Sequence, residues 1–471
     1  MADQRDDLDA WLATQVKPLP PPPGTFELIR RRARRRKMTR AVAAAAGAAA
    51  VIVVIATVPR LVISQLSPGP GPLPSGAQAG QTSSAGAHRR HHTAPPSAPA
   101  VPSTALPATP VSPAAPPRFA ATSVTFVSQR TGYVIGQAGT PGQCTGPDPH
   151  ICTSLATTTD AGRTWHGVPA PVTGAPAGPA GVSQVRFFDT SDGWAFGPQL
   201  WATHDGGQSW QQIHTAGMRV LALEAAGRRV FAVWARCTGR GAGFAAGCTS
   251  AALYSAAPGS DRWTPVAGTG TSFSMTGPAS SAALVLTSRR GYLLPPDGVL
   301  LSGPATSPGS WQPVTGSAAP CQPGAPQAFG SSGQPSAALL ATTTAPAGGP
   351  GLVLVCAGQV AGGSQRKTVY TSADGGRTWQ QPGRAPAAGA ATSVAGSPAG
   401  TIVLATSQGL EVSTDGGATW TAGRGALPLG GFSYVGMTEA TQGVAVPADP
   451  DAHAVWFTYD GGATWQKSPI P

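Results

Sequence analysis

The chain has 471 residues, among them 62 glycines and 49 prolines, with only 11% charged residues and a formal net charge of +11. That charge is uneven: residues 1–40 hold ten Lys/Arg against five Asp/Glu, residues 41–118 four Arg and no acid, and residues 119–471 a nearly balanced 17 against 15. A nucleic-acid reading of the high isoelectric point needs a basic folded domain, and this distribution excludes one.

Residues 1–40 read as a cytoplasmic head ending in an Arg-rich stop. Within residues 1–29, Leu8, Trp11 and Leu12 fall on one face of a short helical turn before Pro20–Pro23 ends any helix. The segment reads either as a frayed tail or as a docking peptide for a cytoplasmic partner, because Trp11 has no core of its own to enter. Arg30, Arg31, Arg32, Arg34, Arg35, Arg36, Lys37 and Arg40 then precede Ala41–Val58, a run of 18 residues without charge. Such a run is near the lower limit for a helix crossing about 30 Å of hydrocarbon. It extends through Leu61–Leu66 if Arg60 snorkels to the outer interface, which gives a transmembrane helix over 41–66. Clustered Lys/Arg stay inside, so the expectation is a single-pass cell-membrane protein, N-terminus cytoplasmic and the remainder extracytoplasmic. A cleaved signal peptide is the rival, but its apolar region is usually about 7–15 residues and its leader shorter. This head, cluster and span resemble those of single-pass membrane regulators of high-GC Gram-positive, actinobacterial type.

Residues 67–118 are Pro, Ala, Ser, Gly and Thr with few large apolar side chains, and are expected to stay a disordered linker. His88-Arg89-Arg90-His91-His92 could suggest a metal, but the arginines repel a cation and a solvated basic patch is the expectation.

From Phe119 onward short apolar strands alternate with Gly- and Pro-rich turns. One phrase returns five times, as Thr158-x-Asp160-x-Gly162-x-x-Trp165, Thr203-x-Asp205-x-Gly207-x-x-Trp210, Ser372-x-Asp374-x-Gly376-x-x-Trp379, Ser413-x-Asp415-x-Gly417-x-x-Trp420 and Thr458-x-Asp460-x-Gly462-x-x-Trp465. Worn copies end in Trp263 and Trp311. The Trp-to-Trp steps are 45, 53, 48, 68, 41 and 45 residues, the period of a four-stranded propeller blade. The 68-residue step is too short for two blades and reads as one blade with an insertion. The expected fold is therefore all-β: a seven-bladed β-propeller over residues 119–471, its blades four-stranded antiparallel meanders. Blade 2 is expected as Val185–Phe188, Gly193–Gly197, Leu200–Thr203 and Ser209–Ile213.

The phrase falls between the third and fourth strands, where the chain must reverse tightly. The Asp carboxylate accepts backbone N–H groups just ahead of it, Gly supplies positive φ, Ser or Thr bonds across the turn, and Trp packs against the blade. Its role is read as structural. The phrase is similar to the Asp-box, or BNR repeat, of sialidase-like propellers. The longer stretch Val185-Arg186-Phe187-Phe188-Asp189 … Asp192-Gly193-Trp194-Ala195-Phe196-Gly197 … Leu200 to Trp210 resembles the photosystem II assembly/stability-factor branch. That resemblance covers about residues 119–471 and implies a propeller acting as a non-catalytic assembly factor. The anchor, linker and cysteines depart from that branch, so what carries over is a protein-binding propeller rather than a photosystem client.

Sialidases further need an Arg triad, a Tyr/Glu nucleophilic pair, an Asp acid and an early Arg-Ile-Pro segment, and no such tripeptide occurs here. Residues 119–471 hold three Glu, namely Glu224, Glu411 and Glu439, of which Glu439 alone has a Tyr (Tyr434) close by in sequence. Sialidases are six-bladed, and Asp-box xyloglucan-type hydrolases use two propellers. No catalytic residue, metal ligand or cofactor is assigned. A glycosidase, with two carboxylates about 5–10 Å apart, is the alternative, and a transmembrane sensor signalling through the head is a second.

A meander places its first-to-second and third-to-fourth turns at one end, with every Asp-box, and its second-to-third turns and interblade crossings at the other. The second group is long: Gln137–Ile151, Ala235–Thr249, Gly316–Ser336 and Ala357–Gln365. Six cysteines allow 15 pairings. All six lie in or beside this group, Cys356 as the end of its blade's second strand, so the expected disulfides are Cys144–Cys152, Cys237–Cys248 and Cys321–Cys356. Ligand contact is expected on these loops, with an extracytoplasmic protein or glycan as partner and no nucleic acid. Arg130, Arg289 and Arg290 fall at the box end and read as solubilising charges.

Overall fold

Gly-rich turns every few residues and strands rich in Val, Leu and Ala favour short antiparallel meanders, and the computed structural model consists of seven of them. It describes residues 115–138, 152–173, 181–238, 247–275, 282–316, 318–321, 337–344 and 350–470. The expected head, the expected 41–66 span, most of the linker and, through Cys144, the expected Cys144–Cys152 pair lie outside the described residues.

Blade 1 comprises Ala120–Phe126, Gly132–Ala138, Cys152–Thr158 and His166–Val168. Blade 2 comprises Gln184–Phe187, Gly193–Phe196, Leu200–Thr203 and Gln211–Gln212. Blade 3 runs Arg219–Ala226, Arg229–Cys237, Cys248–Ala256 and Thr264–Pro265, and the outgoing Ser272–Ser274 also pairs with its third strand. Blade 4 runs Ala283–Leu286, Arg290–Leu294, Leu301–Pro304 and Gln312–Pro313. Blade 5 has Ala337–Thr344, Pro350–Ala361, Ser364–Ser372 and Gln380–Ala385. Blade 6 has Ala391–Gly396, Ile402–Thr406, Leu410–Ser413 and Thr421–Ala422. Blade 7 has Phe432–Met437, Gly443–Pro447, Ala454–Thr458 and Thr464–Pro469, with Arg424–Gly425 added in parallel to its last strand.

One expected loop is in fact strand. Pro350–Ala361 and Ser364–Ser372 form one long hairpin, bulged between Ala357 and Val360 and turned by Gly362 and Gly363 at φ 56° and 77°. Cys356 therefore sits inside its strand, opposite Ala338 and Thr368, rather than at its end. The Gly-Gly pair supplies the positive φ of a tight hairpin, and the apolar run Leu352–Val355 is buried on both faces.

The core lies between blades, as stacked sheets require. Val185 and Phe187 of blade 2 pack with Ile135 and Leu155 of blade 1. Trp194 and Phe196 face Leu223 and Trp234 of blade 3, and Phe231 and Val233 face Leu284 and Trp311 of blade 4. Blades 4, 5 and 6 share one continuous cluster, and Val403 and Val412 meet Phe432 and Trp456 across the next joint. Phe119, Val124 and Phe126 close the ring against Val444, Val455 and Phe457. Each blade is one uninterrupted segment, so this closure uses side chains rather than a strand exchanged between the two ends.

Candidate binding face

All five complete Asp-boxes fold alike. In blade 1 the Thr158 hydroxyl donates to Asp160 Oδ1 at 2.8 Å and accepts Gly162 N at 2.9 Å. Asp160 Oδ1 also accepts Thr164 N, and Oδ2 accepts the Thr164 hydroxyl at 2.6 Å. The same four bonds recur around Asp205, Asp374, Asp415 and Asp460. Sequence reasoning missed one member of this cradle, the hydroxyl just before each tryptophan (Thr164, Ser209, Thr378, Thr419, Thr464). Its signal is visible, because every complete copy reads Ser/Thr-Trp.

The cradle holds its carboxylates ionised. Partial burial works to raise Asp160 and Asp374, but hydrogen bonds from Thr164 and Thr158, and from Thr378 and Ser372, outweigh it and bring both down to about 2. For Asp205 and Asp415 the hydroxyls of Ser209 and Thr419 lead, again to about 2. Asp460 is lowered in the same way, its bonds to Thr464 and Thr458 outweighing burial. A carboxylate so held is a poor general acid.

The box glycines have φ from 81° to 99° and each faces the preceding blade. A Cβ on Gly162 would enter the Phe457 ring of blade 7, and one on Gly207, Gly376, Gly417 or Gly462 would meet Leu155, Leu300, Val369 or Val403. Trp165 and Trp465 are buried while Trp210, Trp379 and Trp420 are half-buried; Trp210 Nε1 reaches back to Pro169 O, and Trp165 Nε1 to Ser468 Oγ. Each box is thus a joint between blades. The two worn copies keep the tryptophan and lose the cradle. By register Ala256 and Gly303 stand where the Ser/Thr should be, with Pro258 and Ala305 in the aspartate positions. Trp263 is half-buried and Trp311 fully buried. In blade 3 the turn is held instead by His204, whose ring nitrogens meet Asp192 Oδ1 at 2.6 Å and Asp261 Oδ1 at 3.3 Å. Burial opposes its protonation, but the bond to Asp192 and the charge of Asp261 outweigh burial and raise His204 above its usual value.

The remaining acids and bases of the interior are committed as well. Arg186 and Glu224, both buried, pair at 3.3 Å between the innermost strands of blades 2 and 3, and Arg186 also donates to Ser123 of blade 1. Lys367 is buried and donates to Gln365 O, Ala388 O and Gly389 O, stapling the crossing from blade 5 to blade 6. Burial pulls it down to about 8 against the opposing charge of Glu411, which burial in turn raises. Tyr434 packs into the blade 7–1 joint, while Glu439 stands in a box-face turn.

The opposite face is different in character. Cys237–Cys248 and Cys321–Cys356 are bonded, closing separations of 11 and 35 residues. Among the described residues no cysteine is free. Among the described residues five large apolar side chains are exposed: Val172, Val299, Val360 and Leu429 stand on this loop face, and Tyr459 stands on the box face, with its hydroxyl on Ala161 O. By strand end, Arg219, Arg236, Arg366 and Arg384 also stand at the loop face, against Asp297, Asp449 and Asp451, while Arg424 pairs with Thr464 of the blade 7 box. A cavity of about 390 Å³ opens at the crossing from blade 2 to blade 3, lined by Gln199, Gln212, His214, Thr215 and Arg219 among others. Among the described residues there is no His/Cys/Asp/Glu group able to hold a metal, and no helix long and apolar enough to cross a membrane.

No protein-family profile and no curated protein matches the chain. Among solved structures it is similar to YCF48 from Cyanidioschyzon merolae, at 12% identity and TM-score 0.40, covering 61% of this chain and 84% of that one. An ancestral GH74 enzyme is similar at 14% identity and TM-score 0.46, with 77% of this chain aligned to 47% of its own length. The computationally designed Ika8 protein is similar at 11% identity and TM-score 0.38, with coverage of 76% and 98%. None of these scores reaches 0.5, and no function passes from these proteins to this chain.

Proposed function

We propose that the chain is a membrane-anchored, extracytoplasmic propeller that binds a protein or envelope glycan through its loop face without catalysis, as an assembly or sensing scaffold. The anchor rests on the cations of residues 30–40 ahead of the uncharged run from Ala41. The two disulfides fit an oxidising compartment. The observation that carries the binding reading is that, among the described residues, four of the five exposed large apolar side chains, Val172, Val299, Val360 and Leu429, stand on the face the boxes avoid. Exposed apolar side chains on one face offer contact area to a partner, and the arginines of the same face favour a partner with acidic rims.

The test is capture from cell envelopes by the full-length protein. Val360→Asp combined with Leu429→Asp abolishes capture in this reading, while glycoside panels give no turnover. Turnover that disappears in Glu411→Gln would instead establish a hydrolase. If residues 1–29 alone retain a cytosolic protein, the propeller is the receiving end of a transmembrane sensor.

A further inference from the structure

Between blades 4 and 5, on the box face, lies a cavity of about 340 Å³ whose wall includes Arg290, Tyr292, Ser302, Gln312, Thr315 and Arg377. Arg290 opens the second strand of blade 4, and its side chain is aimed by a bond from Nε to Ser302 Oγ at 3.2 Å. Arg377 comes from the Asp-box turn of blade 5, where it donates to Asp374 O. Tyr292 forms the floor. Only 1% of it is exposed, and its hydroxyl lies against Gly375, where a Cβ would stand 3.0 Å away.

The joint between blades 1 and 2 repeats this frame and shows what is special here. Tyr133 and Tyr292 each follow the glycine that pairs with the Ser/Thr position of the third strand. Tyr133 donates its hydroxyl to Thr190 O at 3.1 Å. Tyr292 makes no such bond to any described residue. Thr131 stands where blade 4 has Arg290, and Gln208 where blade 5 has Arg377. The joint between blades 4 and 5 therefore combines two guanidinium groups and one unspent phenol where the blade 1–2 joint has none of the three; elsewhere the same arginine positions are filled singly, by Arg229 in blade 3 and Arg163 in the blade 1 box.

We infer that this cavity binds a phosphate group, free or carried on a small ligand, between Arg290, Arg377 and the Tyr292 hydroxyl. A planar carboxylate is satisfied by one guanidinium fork. Donors converging from a strand, a turn and a buried ring suit a tetrahedral oxyanion with an oxygen toward each. The one acid in the wall, Asp374, has its oxygens committed to Ser372 and Thr378. Burial raises the Tyr292 hydroxyl, keeping it a donor at neutral pH, while the charges of Arg290 and Arg377 act on it in the opposite sense. The site is on the face opposite to the proposed docking loops, and the two readings stand or fall separately.

The test is calorimetric titration of the full-length protein in detergent, at fixed ionic strength, with inorganic phosphate, glycerol 1-phosphate and acetate. Both phosphates bind in preference to acetate, and whichever binds more tightly identifies the free ion or the ligand-borne group. Arg290→Gln weakens binding about tenfold or more, and Tyr292→Phe weakens it severalfold with an unchanged unfolding midpoint. Arg289→Gln, one residue along but outside the wall, leaves it unchanged. Acetate binding as tightly as phosphate, or phosphate binding unaffected in both Arg290→Gln and Tyr292→Phe, overturns the assignment.

Discussion

On one end of the propeller five turns repeat the same residues, the same four hydrogen bonds and the same lean onto the preceding blade. On the other end the connections share neither length nor sequence, two are tied by disulfides, and four exposed large apolar side chains stand on separate connections. Repetition at one end means that a single solution to one packing problem has been copied. Variety at the other means that these loops are not solving a common packing problem. The first end supplies stability, and the second is free to carry recognition.

The sharpest way to break that division is to damage a box joint. Gly162→Val forces a branched side chain into positive φ and into the Phe457 ring at the ring-closing joint. It should cost about 3 kcal/mol or more in urea unfolding. Next come the staples. Replacing Cys321 and Cys356 by Ser should cost about 2–4 kcal/mol, and the shorter Cys237–Cys248 loop less. If their loss abolished partner capture while leaving stability unchanged, the staples would serve the ligand rather than the fold.

Asp374→Ala removes the acceptor of three hydrogen bonds in an exposed turn, an expected loss of about 1–3 kcal/mol. The pH dependence has a defined sign. The box carboxylates lie near 2 when folded, below an ordinary aspartate, so their stabilisation is complete above about pH 4 and is lost as pH falls toward 2. Unfolding midpoints measured from pH 6 to pH 2 should drop across that window. Asp374→Asn should flatten the drop.

Blade count, strand order and the box turns were legible because each depends on local chemistry repeated at a fixed spacing. Thr158, Asp160 and Gly162 need only one another to fold their turn. Cys237–Cys248 and Cys321–Cys356 could be read because topology put both members of each pair on one side of the ring, while the expected Cys144–Cys152 pair lies outside the described residues. The Tyr292 cavity could not. It arises where blade 4 has lost its box and blade 5 keeps one carrying Arg377, and it exists only once the blades are set side by side. The Lys367 staple was hidden for the same reason, since its acceptors Ala388 and Gly389 belong to a crossing with no pattern of its own. The Ala357–Gln365 hairpin was misread as loop because its bulge interrupts the alternation that marks a strand.

The smallest stability effect belongs to the loop face. Leu429, 94% exposed, should change stability by no more than about 0.5 kcal/mol when replaced by Ser, yet reduce capture of the partner. The most direct measurement of the division between faces is photo-crosslinking in intact cells, with a reactive residue placed singly at Leu429, Val360 or Gln208. Leu429 and Val360 stand on the loop face, and Gln208 is exposed in the box turn of blade 2. A common macromolecular adduct is expected from Leu429 and Val360 and none from Gln208. An adduct from Gln208 with none from the loop positions would contradict that division.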